Sequence, residues 1–383
     1  MVATSMHYIF GVLIAYFLGY RGNKKFWIGL VAVIPDLDAI FFIVLAAGRN
    51  IFNYSLDFYE SSQTAVMMLG HRGISHSLLL LGVVLLVTLA FTRKRQTLLA
   101  VFCIWGSHLV LDALTSWKMF PLLPFSYAPF YLGIVEVFDS WLMFFTSLML
   151  AFLICSSLIE NESKKGPVFA YLFFLLLGVY PAIRMNEFNI QTLVLSQLVM
   201  LVAIVYCVQA LKKRRKRRLV RFVGRGVKVS SFLAVGYLVL LIVGKAFFAF
   251  SYSVPFTALE PLEEFAFNGN THTYELIEGD AYRVGMVSLM GREQELVIPI
   301  VVNDIGVDGR LVQEYREAYG YALHTNWINY PVWTFKSENG EIYVTIRYAK
   351  SFLPTEFNPG PSRGMNVQLQ DGMLIRYGRT RFD

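Results

Sequence analysis

Seven side chains in the first third of this sequence have the chemistry to bind or activate something. They are His7, Asp36 and Asp38 of PDLD, His71 and His76 of HRGISHS, and His108 and Asp112 of SHLVLD. Imidazole and carboxylate together suit zinc, manganese or iron(II). They stand among long apolar runs such as LLLLGVVLLVTLAF (78–91), where a carboxylate costs about 2.5–3.5 kcal/mol on insertion scales. Groups held there must face one another, a cation or water. His108 and Asp112 are four residues apart, share a helix face and can hold one ion. Asp36 and Asp38 point apart on a regular helix, but Pro35 removes a backbone hydrogen bond and loosens the chain where both turn inward.

Each feature has a plainer reading. His7 could be a capping or snorkelling group, and Asp36 or Asp38 mere polarity at a helix break. His71 could meet a headgroup phosphate beside Arg72, and His76 with Ser75 and Ser77 could be the polar start of a helix. The His108/Asp112 pair resists such a reading most. Seven candidates exceed the three protein ligands plus water usual for one catalytic zinc. Two ions, or one ion with outer partners, would use them all. His272 and His324, far along the chain, read as ordinary surface histidines.

The elements that position these residues must lie in a bilayer. The chain has 383 residues, 56% hydrophobic and 16% charged, with a mean hydropathy of +0.51, against about 25% charged in soluble domains. Runs long enough to span are Val2–Tyr20, Phe26–Gly48, Ser75–Phe91, Thr97–Trp117, Phe138–Ile159, Pro167–Ile183, Gln191–Leu211 and Ser230–Phe250. RGNKK, TRKRQ, SKKG and KKRRKRRLVRFVGRGVK hold eighteen Lys and Arg; the alternate loops hold Arg49, Arg72, Lys118 and Arg184. That alternation is a positive-inside pattern, which predicts both termini outside the cytoplasm. It also makes the formal charge of +7 a matter of topology and anionic lipid, not nucleic acid. The segment 119–138, with Pro121, Pro124 and Pro129, is apolar enough for a further span. Its prolines and the charge alternation make it interfacial or re-entrant.

Residues 251–383 carry 17 acidic and 11 basic residues and no long apolar run. ELVIPIVVND reads as a strand. Asn339-Gly340 and Asp371-Gly372 mark hairpins, and 309–324 has helical spacing. The expected architecture is an all-α polytopic membrane domain of about eight transmembrane helices (1–250), followed by a small extracytoplasmic α+β domain (251–383). Cys103, Cys155 and Cys207 lie within apolar runs and show no disulfide or metal spacing. MVATSMHYIF lacks a signal peptide's basic region and cleavage site, which predicts a retained first span. On these spans the helical rise puts His7, His76, Asp38, His108 and Asp112 within about 15 Å of the outer boundary.

The order N-terminal His, P-D-L-D, H-R-G-I-S-H-S and S-H-L-V-L-D-A-L-T resembles the YdjM-type family of bacterial inner-membrane, metal-dependent hydrolases over roughly residues 1–130. PLLPFS (121–126) is similar to the family's proline-containing segment after the last motif. The family's Thr-His pair is Met6-His7 here. More loosely, His108/Asp112 resembles the His-x-x-x-Asp pair of zinc-dependent phospholipase C enzymes. The resemblance implies a hydrolase of the cytoplasmic membrane.

The resulting expectation is one or two divalent ions, zinc first and manganese or iron next. His7, Asp36, Asp38, His71, His76, His108 and Asp112 are the ligand candidates. Asp38 and His76 are candidate acid–base groups, and Arg72 steadies an anionic lipid or lipid-linked phosphoester or ester. The alternatives are a cation or proton transporter using the same cluster, and a metal-stabilised sensor or scaffold.

Overall fold

The computed structural model describes residues 4–38, 72–115, 118–126, 128–135, 139–160, 165–175, 190–212, 216–255 and, beyond these, the strands named below with Asp280. The described residues form two compact units, one within 4–243 and the other within 244–382.

The first unit is helical. Its elements are α1 (Thr4–Phe17), α2 (Lys24–Gly29), a 3-10 turn (Leu30–Val33), a second 3-10 turn (Ile74–His76), α3 (Leu78–Phe91), α4 (Arg95–Ala113), α5 (Ser140–Ile159), α6 (Lys165–Phe174), α7 (Ile190–Lys212) and α8 (Lys216–Tyr252), whose residues from Gly244 onward belong to the second unit. Among the described residues, three helices are long and apolar enough to cross a membrane: α4, Trp141–Ile159 of α5, and α8. Shorter apolar helices are Thr4–Phe17, Leu78–Phe91 and Gln197–Leu211. Eight transmembrane helices are therefore not what these residues form. The second expected span shows why. From Lys24 it runs one and a half turns as α-helix, tightens into the 3-10 turn, and loses regularity at Ile34 and Pro35, where proline has no N–H to continue the ladder.

Local chemistry sets the other boundaries. Ser77 caps α3 by accepting from the Leu80 N–H at 3.2 Å, and Asp139 caps α5 from the Leu142 N–H at 2.7 Å. The proline-rich stretch after α4 is not helical in its described part, 118–126 and 128–135. Its N–H groups instead satisfy the end of α4: Leu132 donates to Ala113 O at 2.8 Å, Ile134 to Leu114 O at 2.7 Å and Gly133 to Thr115 O at 3.0 Å. Pro121 O takes the Leu78 N–H at 2.9 Å, which ties the start of α3 to the same segment. The basic run expected to be wholly a loop is helical from Lys216 onward, where α8 begins and continues unbroken to Tyr252.

α1 packs on α2, the first 3-10 turn, α4 and α5; α3 packs on α4, and α5 on α7. At the far end of α1 from His7, the Gln96 amide reaches Leu18 O at 2.6 Å. Buried Lys25 meets the Ser156 hydroxyl there at 2.6 Å.

The second unit is built from two antiparallel-dominated sheets. β1 (Leu259–Pro261), β2 (His272–Glu278), β3 (Ala281–Ser288) and β4 (Gly291–Pro299) form one in that order. β5 (Val301–Asn303), β6 (Pro331–Glu338), β7 (Glu341–Tyr348), β8 (Ser362–Gln370) and β9 (Met373–Phe382) form the other. Glu338 pairs with Glu341 and Gln370 with Met373, the two-residue spacing expected of the Asn-Gly and Asp-Gly hairpins. The helix expected over 309–324 lies outside the described residues, as does all of 39–71, His71 included.

Candidate metal centre

Four of the seven candidates converge. One ligand atom each from Asp36, His76, His108 and Asp112 lies within 4.8 Å of all the others, and all four residues are buried. Each comes from a different local device. Asp36 follows the break at Pro35, and His76 closes the 3-10 turn before α3. His108 and Asp112 sit one turn apart on α4, close to its last residue, Ala113. α1, α3 and the first 3-10 turn all pack on α4, so α4 is the hub.

Hydrogen bonds decide which nitrogen of each imidazole faces inward. His108 Nδ1 is 2.7 Å from Ala32 O. A carbonyl only accepts, so Nδ1 carries the proton and a neutral His108 presents a lone pair on Nε2. His76 Nδ1 is 2.9 Å from Ser75 Oγ, and the Ser75 hydroxyl donates to Asp38. That hydroxyl has spent its proton, so His76 Nδ1 donates to it, and a neutral His76 likewise presents its lone pair on Nε2. The two Nε2 atoms are 3.0 Å apart. Asp112 Oδ2 is 3.0 Å from His76 Nε2 and 3.4 Å from His108 Nε2; Asp36 Oδ1 is 3.7 and 3.6 Å from the same atoms. Both Asp36 oxygens and Asp112 Oδ2 are buried without a hydrogen bond.

Two lone pairs and two carboxylates directed at one point repel unless something positive lies among them. Donors on a tetrahedral zinc at its usual bond lengths stand about 3.4 Å apart, and the five separations above bracket that value. The charges agree. Asp36, Asp38 and Asp112 against Arg72 leave two negative charges, which one divalent ion neutralises. The residues fit a metal.

The remaining candidates surround this group. Asp38 does not join the four: its Oδ2 is 3.5 Å from His76 Nδ1, behind the ring, and accepts from the Arg72 backbone N–H at 3.2 Å. A carboxylate behind a ligating histidine holds the ring and raises its basicity. His7 lies beside the group, its Nε2 3.3 Å from Asp112 Oδ1 and its ring 3.9 Å from that of His108. Arg72 is fully buried. Its NH2 meets Asp112 Oδ1 at 2.7 Å, and its NH1 meets Thr115 Oγ1 at 2.8 Å. Its backbone sits at φ 67°, a left-handed conformation that non-glycine residues adopt at a cost. The following Gly73 and the Phe120 N–H on Arg72 O help to hold it.

Sequence reasoning treated Ser75 as helix-start polarity and gave Thr115 and Ala32 no role. The signal for Ser75 was its place directly before His76; Ala32 acts through its carbonyl and has no side-chain signature. We expect Ser75→Ala to free the His76 ring and weaken metal affinity about 10–100-fold. Competitive titration with a chelating dye reads this, and unchanged affinity would remove Ser75 and Asp38 from the site.

Apolar helices compatible with membrane spans surround a buried His/Asp group that could hold a metal ion. Residues 1–188, just under half the chain, match the YdjM inner membrane protein family. Over that segment the chain is similar to the YdjM family. No curated protein and no solved structure matches the chain.

Proposed function

We propose that this protein is a metal-dependent hydrolase of the bacterial inner membrane, with one divalent ion held by Asp36, His76, His108 and Asp112. The observation that carries the reading is the meeting of the His76 and His108 Nε2 atoms, 3.0 Å apart, with two buried carboxylates. Such an ion supplies Lewis acidity toward a phosphoryl or acyl oxygen and acidifies water near neutral pH. The chain's own residues do the rest. Asp38 and Ser75 orient His76, Ala32 O orients His108, and Arg72 holds the outer oxygen of Asp112. The Arg72 guanidinium on that oxygen competes with a second ion there, which favours a single ion. Asp38 and His7, beside the ligands but outside the four, are the acid–base candidates; His71 stays a proposed further ligand.

The motif end of the helices lies opposite the basic connections, so the positive-inside pattern turns the site toward the outer leaflet. At this depth a phosphoester or ester of a lipid or lipid-linked molecule is the nearest substrate.

One observation favours a second reading, a structural ion that stabilises a sensor or scaffold. Four protein donors complete a tetrahedral zinc, whereas catalytic zinc usually has three. Six-coordinate manganese or iron would keep positions open with the same four donors.

The deciding experiment is metal analysis of detergent-purified protein, followed by turnover of phospholipid and lipid-linked phosphoesters with the ion loaded and removed. We expect one ion per chain and ion-dependent hydrolysis. One tightly held ion with no exchangeable water and no turnover selects the structural reading. A folded wild type that takes up no resupplied ion overturns both and leaves a cation or proton pathway.

A further inference from the structure

The first turns of α8 lie outside the family match and outside the metal centre. They carry Lys216, Arg217, Arg218, Arg221, Arg225 and Lys228, all exposed. Leu219, Val223, Val227 and Ser230, at helical spacing on another face, are buried. Phe222 packs its ring 5.7 Å from Phe152 of α5 and 5.4 Å from Tyr206 of α7. A Cβ added at Gly226 would lie 2.3 Å from the Phe152 ring, so α8 touches α5 closely at this level.

That contact fixes the depth of the basic stripe. Phe152 is only four residues, about 6 Å of helix, from Ser156, where buried Lys25 meets α5. Arg225 and Lys228 therefore flank a point slightly inside the basic end of α5 and do not stand clear of it in water. No Asp or Glu occurs between Glu187 and Glu260, and none of these cations forms an ion pair among the described residues. Exposed Val220, Phe222 and Val229 lie between them. Long cationic side chains on such a surface bury their stems against acyl chains and lift their heads to phosphate. The intervening valines offer a nucleic acid neither a hydrogen bond nor a stacking face, whereas they match acyl chains.

We infer that residues 216–228 of α8 form a binding surface for anionic phospholipid headgroups in the leaflet at the basic end of the helices, with Arg221, Arg225 and Lys228 as its principal cations. The surface is a lipid anchor separate from the chemistry at Asp36 and Asp112.

The test uses the full chain in detergent and native mass spectrometry, titrating dioctanoyl phosphatidylglycerol against dioctanoyl phosphatidylcholine. The wild type should retain phosphatidylglycerol preferentially. The preference should fall steeply as salt rises from about 0.1 to about 1 M, where the screening length drops from ~10 to ~3 Å. Each cation contributes roughly fivefold near an anionic surface, so the Arg221→Gln, Arg225→Gln, Lys228→Gln triple variant should bind about 100-fold more weakly. The Arg221→Lys, Arg225→Lys, Lys228→Arg triple variant should retain most of the preference. Equal binding of both lipids by the wild type overturns the inference, as does a glutamine variant that keeps the preference. Displacement of the lipid by a duplex oligonucleotide at equal phosphate concentration would also overturn it. If the glutamine variant does not fold, the wild-type lipid comparison and its salt dependence decide alone.

Discussion

Asp112→Asn should abolish metal binding and also destabilise the protein after the metal has been stripped; His108→Ala should do only the first. Asp112 is the one residue that serves both the centre and its support. Oδ2 faces His76 and His108, and Oδ1 holds Arg72 at 2.7 Å. An amide in its place leaves a fully buried guanidinium without its carboxylate, and breaking a buried pair from one side costs about 3–5 kcal/mol. His108→Ala removes a ligand and leaves the Arg72–Asp112 pair intact. Metal-stripped Asp112→Asn should therefore unfold well below metal-stripped His108→Ala. Adding Arg72→Met to Asp112→Asn should recover much of the loss without restoring the ion, because apolar groups can replace a buried pair with little penalty. Thermal unfolding in detergent and metal analysis on the same preparations read both effects. Equal metal-free stability of the two single variants would mean that the Arg72 pair contributes nothing, and a stoichiometric ion in either would remove that residue from the ligand set.

Gly11→Ala should disturb the centre from outside it. A Cβ at Gly11 would stand 2.7 Å from Gly29 O, 2.9 Å from Ala32 Cβ and 3.1 Å from Ile104 Cγ2. The nearest obstacle is a backbone carbonyl, which no rotamer change removes. α1 must then move away from the 3-10 turn, and that turn supplies the Ala32 carbonyl on His108 and leads directly into Asp36. Overpacking of this kind costs about 1–3 kcal/mol, and a displaced second-sphere contact weakens a metal site about 10–100-fold. Gly82→Ala and Gly106→Ala provide the contrast. Neither would meet any atom within 4 Å, and in a helix interior alanine is favoured over glycine by about 0.5–1 kcal/mol. The same chemical change should therefore lower the unfolding temperature at position 11 and leave it level or raise it at 82 and 106. A Gly11→Ala protein with wild-type metal affinity would show that the α1 crossing does not set the His108 geometry.

Much of the centre was legible because intramembrane polarity is expensive. A carboxylate or imidazole inside an apolar run stands out from sequence alone, and the four-residue spacing of His108 and Asp112 already places them on one helix face. Hairpin turns were legible for a similar reason, since Asn-Gly and Asp-Gly permit backbone angles that few other pairs adopt. Span count was harder. Apolar length does not reveal where a helix tightens or breaks, and the second run changes from α-helix to 3-10 turn before Pro35.

Division of labour among the seven candidates was not readable at all. Sequence left His7, Asp36, Asp38, His71, His76, His108 and Asp112 all as ligand candidates, and it made Arg72 a group for an anionic substrate. Tertiary packing separated them. Stacking α1 and the 3-10 turn on α4 directs Asp36, His76, His108 and Asp112 to one point, turns Asp38 to the back of His76, sets His7 against the far oxygen of Asp112 and commits Arg72 to that same oxygen. Sequence alone determined which residues were too costly to leave unpaired in an apolar setting, because that cost belongs to the side chain. Only the fold decided which of them meet, because that depends on the crossing of helices whose contact residues, Gly11 and Gly29, carry no chemistry of their own.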